Sequence, residues 1–219
     1  MTTISMAPGS RFQTALAWAS ELFVDEFRKG NPHIPYITHL VNVAMLVMKD
    51  GGNEDEAIAG LHHDTMEDAH QSFTEIAGRF GSDVAEIVYG CSDGMQQDGT
   101  PTAMLDAHDN QVERGPENWK ERKLAYLKHL SELDLRSPLS ASILRVSVAD
   151  KLDNATDLVA DLRELGPSMM QRFNAGIPDQ LWWYSSLRDQ FTEPFRDSML
   201  TRRFSSAVSE IEQLLEAPA

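Results

Sequence analysis

The chain has 219 residues, of which 42% are hydrophobic, and it carries 19 basic against 34 acidic side chains, a formal net charge of −15. This length and apolar content suffice for one sizeable core, and the negative charge would repel nucleic-acid backbones and anionic membrane surfaces. We therefore expect a single domain over residues 11–219 that binds neither nucleic acid nor membranes.

The N-terminal residues and the cysteine content indicate the cellular location and the residue types that could bind a metal. Residues 1–10 lack the apolar run of a signal peptide, and no stretch approaches the ~20 apolar residues that span a bilayer, so we predict a flexible N-terminus and a cytoplasmic protein. Cys91 is the only cysteine, which excludes an intrachain disulfide and a thiolate metal site. Any metal ion would have to be held by His, Asp and Glu.

Apolar residues recur with a period of about 3.6 nearly everywhere, which predicts an all-α fold. Ser10 with Gln13 resembles a capping box that opens a helix through FQTALAWASELFVDEF. Pro35 is placed to start the next helix, YITHLVNVAMLVMKD, and Asn53 with Glu56 caps the third. Shorter helices are expected in FTEIAGRF and DVAEIVYGC.

The second half of the chain begins with residues 94–118, which have no period and many turn formers. We predict a long loop there, and loops of that length tend to be lids or disordered insertions. A helix through WKERKLAYLKHLSEL follows, then a long one over about residues 138–165 that Gly166 and Pro167 end. Two further helices are expected after Ser168 and Pro178.

The segment AGLHHDTMED, residues 59–68, crowds five titratable groups onto the end of an apolar helix. On a helix His63 would lie one turn from Glu67, and Asp64 one turn from Asp68, because residues four apart share a face. Since the preceding AIAGL is typical of a buried helix, we predict that the C-terminal turn faces a cleft. A single His-Asp pair alone would instead favour a solvated helix end.

Two further polar residues interrupt apolar helices, His39 in ITHLVNVAML and Asp150 in ILRVSVADKLDNA. Each has an ordinary interpretation, as a satisfied core histidine and as an ion pair with Lys151, but an uncompensated buried carboxylate is costly. Together with His63 and Asp64 they form a set of two histidines and two aspartates. One divalent cation would satisfy all four side chains at once.

This order of residues resembles the HD-domain metal-dependent phosphohydrolases. More closely, it is similar to the hydrolase domain of the RelA/SpoT alarmone enzymes and to the single-domain small alarmone hydrolases. The resemblance covers roughly residues 12 to 190, and a downstream ADKLxN makes it more specific than a His-Asp pair alone. The matching pieces are RKGNPHIPYITHL (28–40), LHHDTMED (61–68), ERK (121–123) and VADKLDNATDL (148–158).

The resemblance implies a helical HD-domain fold and hydrolysis of the 3′-pyrophosphate of guanosine tetra- or pentaphosphate alarmones, which releases pyrophosphate and GDP or GTP. It implies that Glu67 and Asp68 orient and deprotonate the attacking water. It also implies a Mn²⁺ ion, or another divalent transition metal, held by four side chains: His39, His63, Asp64 and Asp150.

The family pattern also suggests substrate contacts. It places Arg28 and Lys29 near the base and phosphates, and Asn154 at the nucleoside. Arg122 and Lys123 could neutralise charge on the leaving pyrophosphate if their helix faces the cleft, and a solvated basic turn is an equally weighted alternative. The expected partner is therefore a small nucleotide. The sequence does not indicate which base is preferred or what the oligomeric state is.

The chain departs from the family pattern at two positions. Phe23 stands where a histidine is common, which would affect packing or a hydrogen bond near the site. Thr156 stands where an arginine is common, which would remove a cation near the nucleotide and change substrate preference. We assign the histidine next to the motif, His62, to the helix surface.

Two other functions stay open. The first is an HD-type phosphatase that acts on other nucleotides, which the presence of threonine at position 156 leaves possible. The second is a non-catalytic nucleotide sensor or antitoxin-like binder, which the complete set of metal ligands and carboxylates disfavours.

Overall fold

The computed structural model describes residues 9–29, 33–92, 104–105, 111–112 and 118–216. The predicted all-α fold is confirmed, with one pair of two-residue strands inside the predicted loop. The helices are α1 (Ser10–Leu22), α2 (Ile37–Lys49), α3 (Glu54–His62), α4 (Phe73–Phe80), α5 (Ser82–Cys91), α6 (Trp119–Ser131), α7 (Pro138–Leu165), α8 (Ile177–Phe195) and α9 (Met199–Glu216), with a 3₁₀ helix at Pro167–Arg172.

Helix α1 differs from its prediction at both ends. Its cap is Gly9, whose N–H donates to Glu54 Oε1 at 2.9 Å, and the capping box predicted at Ser10 is not formed. The helix ends at Leu22, because the chain then turns into a short antiparallel bridge between Phe27 and a proline near the start of α2.

That bridge places Arg28 and Tyr36 against the helical body. The N–H of Arg28 donates to the carbonyl of Ile34 at 2.9 Å, and the N–H of Tyr36 donates to the carbonyl of Glu26 at 2.8 Å. Backbone bonds in both directions fix the start of α2 relative to the preceding segment. A predicted continuous helix thus becomes a turn that carries two side chains of the site.

Helix α3 has the predicted capping box, in which Asn53 and Glu56 exchange side-chain and backbone bonds. It ends at His62, however, so the prediction that the whole HHDTMED motif lies on a helix is wrong. Residues 63–68 form consecutive turns, and the N–H of Asp68 still reaches the carbonyl of Asp64 at 2.8 Å. The carboxylates of the motif therefore follow turn geometry, which sequence periodicity does not describe.

The long helix α7 packs against α2, α3, α5 and α9 and lies at the centre of the core. Helices α2 and α3 also contact each other closely, where a Cβ atom added at Gly60 would lie 3.1 Å from Ala44 Cα. This contact brings His39 on α2 and His63 after α3 to a ring separation of 5.1 Å. The core thereby places polar residues of three elements near one point.

Most of the predicted loop at 94–118 lies outside the described residues, as do residues 1–8 of the predicted flexible N-terminus. Within the loop, β1 (Met104–Leu105) pairs antiparallel with β2 (Gln111–Val112). Among the helices described, none combines the length and the apolar character needed to cross a bilayer.

The prediction that His62 lies on the surface is wrong, because this side chain is 0% exposed. Its ring lies between Trp18 and Phe80, at centroid distances of 4.9 and 5.1 Å. Nε2 donates to the carbonyl of Ala15 at 3.1 Å, and Nδ1 accepts from Thr65 Oγ1 at 3.0 Å. Both nitrogens are satisfied in the neutral form, and burial lowers the pKa of His62 to about 4.

We predict that His62 makes the fold sensitive to acid. In the unfolded chain it takes up a proton near its usual pKa of about 6.5, so below that pH the unfolded state binds more protons and the free energy of unfolding falls. Between pH 8 and pH 5 the loss from this one group should be about 2 kcal/mol. Urea unfolding at the two pH values, compared between the parent and a His62 variant, isolates this loss from the contributions of the other titrating groups.

The His62→Gln variant should be less stable at pH 8 but should lack that part of the pH dependence. A matched control is His33→Gln, at an exposed histidine, which should keep the dependence of the parent. An equal drop in the free energy of unfolding for His62→Gln and the parent would contradict the prediction.

Candidate metal centre

The four predicted metal ligands meet at one buried point between α2, α7 and the turns after α3. Ligand atoms of His39, His63 and Asp64 all lie within 4.8 Å of one another. Asp150 Oδ1 lies 3.3 Å from His39 Nε2 and 3.5 Å from His63 Nε2. The structure thus brings together side chains that are up to 111 positions apart in the sequence (150 − 39 = 111).

The orientation of both imidazoles is fixed by acceptors on their outer sides. His39 Nδ1 lies 2.6 Å from Asp153 Oδ2, and His63 Nδ1 lies 2.9 Å from the carbonyl oxygen of Gly60. Ionised carboxylate and carbonyl oxygens can only accept, so each Nδ1 carries a proton. In the neutral tautomer each Nε2 therefore presents a lone pair to the centre.

The centre is suited to a cation, because the nitrogen and oxygen atoms that face it repel one another unless a proton or a metal ion lies between them. His63 Nε2 is buried with no hydrogen-bond partner in the described chain, yet it lies 2.9 Å from Asp64 Oδ2. Burial would lower the pKa of His63, but the carboxylates of Asp64 and Asp150 outweigh it and raise that pKa well above its usual value. A proton or a metal ion must stand between these atoms, and a set of imidazole and carboxylate ligands suits a divalent transition metal.

Neighbouring donors hold the two carboxylates in place. Asp150 accepts from Asn154 Nδ2 at 2.6 Å and forms a close ion pair with Lys151. Burial would raise the pKa of Asp150, but the Lys151 ammonium holds it well below the usual range. Asp64 Oδ2 accepts from Tyr36 Oη at 2.6 Å. Each carboxylate therefore stays ionised and is oriented by a partner outside the predicted ligand set.

Tyr36 and Asp153 are parts of the site that were not predicted from the sequence. Tyr36 gave no signal, because its position depends on the turn before α2. Asp153 did have a signal in the sequence, because residues at i, i+3, i+4 and i+7 of a helix share a face. Reading α7 in this way predicts a polar stripe: Asp150, Asp153, Asn154 and Asp157.

Glu67 and Asp68 line a cavity of about 490 Å³ beside the centre, together with Phe23, Lys29 and Tyr36. Glu67 is half-buried and Asp68 is exposed. Tyr36 lines this cavity and donates to Asp64, so one side chain joins the cavity wall to the four-residue cluster. The two carboxylates are thus neighbours of the cluster and lie outside it.

A second cavity of about 580 Å³ opens beside the first, and Lys29 and Tyr36 line both. The second cavity, which we call the cleft, contains four of the five predicted substrate contacts: Arg28, Lys29, Lys123 and Asn154. The fifth, Arg122, is not among the described residues that line it, and its Nε donates to Asn118 Oδ1 at 3.1 Å. Lys151 and Arg172 add two further cations to the cleft wall.

Arg28 is held rigidly in the cleft by residues of α7. Its Nε and Nη2 donate to Asp157 Oδ2 at 3.2 and 2.7 Å, and Nη2 donates to Asn154 Oδ1 at 3.1 Å. Only 13% of the side chain is exposed. The guanidinium is therefore positioned before any ligand arrives, which lowers the entropy cost of binding an anion.

Aromatic rings form the far wall of the cleft. Lys123 Nζ lies 4.7 Å from the ring centre of Trp183, and Lys29 Nζ lies 5.9 Å from that of Phe173. Tyr184 also lines this wall and is buried. Rings beside cations suit a ligand that has both a flat ring and several negative charges.

The two residues that depart from the family pattern, Phe23 and Thr156, lie in different places relative to the site. Phe23 is 1% exposed and stacks on Tyr36 at 5.4 Å, so it supports the site through packing. Thr156 lines a separate groove with Arg163 and Arg202, and its hydroxyl donates to the carbonyl of Leu152 at 2.8 Å. Position 156 thus lies on another face of α7 from Asn154, and its side chain lines this groove.

Comparison with known proteins gives consistent matches. The HD domain family profile matches residues 15–171. Guanosine-3′,5′-bis(diphosphate) 3′-pyrophosphohydrolase MESH1 of Drosophila melanogaster is 28% identical over 153 residues, 69% of this chain and 71% of that protein. The protein of the same name from Xenopus tropicalis is 33% identical over 146 residues, 66% of this chain and 67% of that protein.

A solved structure has the same fold. It is described as a metazoan ortholog of SpoT that hydrolyses ppGpp, and it superimposes with a TM-score of 0.67 over 96% of this chain and 99% of its own. The two sequences are 20% identical, so this likeness concerns the fold.

We predict that Asp150→Asn weakens Mn²⁺ binding by about 10-fold or more, because one of two anionic ligands becomes neutral. Isothermal titration of the metal-free protein with Mn²⁺ measures the effect. Asp134→Asn is the matched control, since Asp134 pairs with Arg136 on the exposed surface. Equal Mn²⁺ affinity in the Asp150 variant and the parent would rule out the proposed ligand set.

Proposed function

This chain belongs to the HD domain family, and we propose that it is a Mn²⁺-dependent hydrolase of guanosine tetra- and pentaphosphate alarmones. The reaction would remove the 3′-pyrophosphate and leave GDP or GTP. One observation carries the proposal: a buried centre of two histidines and two aspartates adjoins a cleft rich in cations. The printed names of the two MESH1 relatives describe the same reaction for those proteins.

The charge distribution supports a polyanionic substrate. The protein as a whole has a net charge of −15, which opposes the approach of an anion. The cleft concentrates five of the 19 basic side chains in one place: Arg28, Lys29, Lys123, Lys151 and Arg172. Three acidic residues, Asp157, Asp161 and Glu164, line the same cleft, so its excess of positive charge is two, and this local excess favours a polyanion on an otherwise acidic protein.

A divalent cation held by His39, His63, Asp64 and Asp150 would supply Lewis-acid chemistry, polarising the scissile phosphate and making a nearby water more acidic. Glu67, which is half-buried and lines the cavity beside the centre, would accept a proton from a water held there. Asp68 lines the same cavity and helps to orient the water.

Cations of the cleft stabilise the charge of the substrate and the leaving group. Arg28 is fixed by Asp157 and Asn154 and so meets the phosphates in a set geometry. Lys123, next to Trp183, can neutralise charge on the departing pyrophosphate. The aromatic wall is suited to the flat base.

The broader alternative, a phosphatase for other nucleotides, rested on the loss of a cation at Thr156. Because Thr156 does not line the cleft, this departure gives no reason to prefer another nucleotide. The choice of base is a matter for direct measurement.

Chromatographic product analysis tests the proposed reaction. The protein is incubated with Mn²⁺ and, separately, ppGpp, pppGpp, ppApp and NADPH. We expect GDP and pyrophosphate from ppGpp, at a higher kcat/KM than for NADPH. Binding of ppGpp without turnover would instead support the sensor, and release of orthophosphate would support a different phosphatase.

We predict that Glu67→Gln lowers kcat on ppGpp by roughly 10²- to 10⁴-fold, or about 3 to 5 kcal/mol of barrier, because Gln cannot accept the proton. Mn²⁺ affinity and ppGpp binding should be retained, since the residue lies outside the metal cluster. Both are measured by titration calorimetry alongside the turnover assay.

The matched control for this variant is Glu21→Gln, on the exposed face of α1, which should hydrolyse ppGpp at the parent rate. If Glu67→Gln also stays within a few-fold of the parent under the same Mn²⁺ concentration, Glu67 is not the general base. Asp68 would then be the remaining carboxylate of the motif to test.

A further inference from the structure

Asp153 is a carboxylate inside the body of α7 that the reaction described above does not use. Its side chain is 9% exposed, and one of its oxygens faces two functional residues. Oδ2 lies 2.6 Å from His39 Nδ1 and 3.8 Å from Arg28 Nη2. The same oxygen therefore contacts a proposed metal ligand and a proposed substrate contact.

The contact with His39 decides which ring nitrogen can bind a metal. A neutral histidine carries one proton, on Nδ1 or on Nε2. The Asp153 oxygen accepts a hydrogen bond only if the proton is on Nδ1, which leaves the Nε2 lone pair directed at Asp64 and Asp150. With the other tautomer, an N–H would point at the metal centre and block one ligand position.

Asp153 also contacts Arg28, and this contact connects the His39–Asp153 pair to the wall of the cleft. Arg28 Nη2 also donates to Asn154 Oδ1 at 3.1 Å, and Asn154 Nδ2 donates to Asp150 Oδ1 at 2.6 Å. Arg28 is thus linked to His39 through Asp153 and to Asp150 through Asn154. Two of the four proposed ligands share one guanidinium as a common support.

We propose that Asp153 is a positioning residue of the metal centre. Its carboxylate fixes the Nδ1-protonated tautomer of His39 and ties that ligand to Arg28 in the cleft. This inference rests on the proposed metal role of His39. Histidine ligands whose outer nitrogen donates to a carboxylate are oriented and made more basic by it, and losing that partner typically lowers metal affinity about 10- to 100-fold.

The first test is metal affinity, measured by titrating the metal-free full chain with Mn²⁺. Asp153→Asn and Asp153→Ala should weaken binding by about 10-fold or more. The matched control is Asp134→Asn, whose carboxylate pairs with Arg136 on the exposed surface. That control should bind Mn²⁺ as the parent does.

The second test is the tautomer itself, read from nitrogen-15 spectra of the histidine rings at pH 8 in the metal-free protein. In the parent, the His39 proton should reside on Nδ1 and resonate downfield because of the short bond to Asp153. Asp153→Asn should shift or lose that signal. The ring of His63 is an internal reference, because its Nδ1 donates to the Gly60 carbonyl and should be unaffected.

The results separate this inference from the proposed function. If the parent binds Mn²⁺ and Asp153→Asn binds it within two-fold, the positioning role is overturned while the metal centre stands. If the parent itself binds no Mn²⁺, the metal-dependent function fails and the inference fails with it. Should the variants not fold, the parent spectrum still decides, since a His39 proton on Nε2 overturns the proposal.

Discussion

The site depends on the mutual repulsion of four electron-rich side chains that the fold holds within a few ångströms. Two imidazole nitrogens and two carboxylates face one buried point, and His63 Nε2 has no hydrogen-bond partner in the described chain. Desolvated negative charge is costly unless a cation compensates it. Tyr36 donates to the Asp64 oxygen that also faces His63, and Lys151 pairs with the Asp150 oxygen that faces away from the histidines. Without a metal, the Lys151 ammonium and a proton on His63, whose pKa the two carboxylates raise, balance this charge, and a divalent cation would take the place of that proton.

Helix α7 joins the core and the site in one element. Its apolar residues, such as Leu144 and Leu152, are buried in the core, whereas the stripe from Asp150 to Asp157 faces the centre and the cleft. A rigid helix keeps these side chains in register, so Asp150 at the metal and Asp157 at Arg28 cannot move independently. The same helix bears Thr156 on a different face, toward α9. The face of α7 that a residue occupies therefore separates residues that contact the centre or the cleft from residues that support the fold.

Most of the helices and the four clustered residues could be predicted from the sequence, because they depend on patterns within a short stretch of chain. The apolar period gave the all-α class, and the Asn53 capping box gave the start of α3. The four clustered residues were named from their chemistry, since His and Asp inside apolar helices need compensation. Other features depend on distant contacts. Burial of His62 requires the rings of Trp18 and Phe80, and the turn after α1 requires backbone bonds to the start of α2. No pattern within a short window contains that information.

The close crossing of α2 and α3 has a consequence for how this site could change over time. The spacing between His39 and His63 is set where Gly60 meets the Ala44 backbone, at a point where a methyl group would push that backbone away by a few tenths of an ångström. The side chain of Gly60 is a single hydrogen atom, and this small size sets the separation between the two histidine ligands. Gly60 therefore acts on His63 in two ways, because its carbonyl orients the ring and its missing side chain sets how near the ring comes to His39, and a larger residue here would widen the centre while every ligand stays the same.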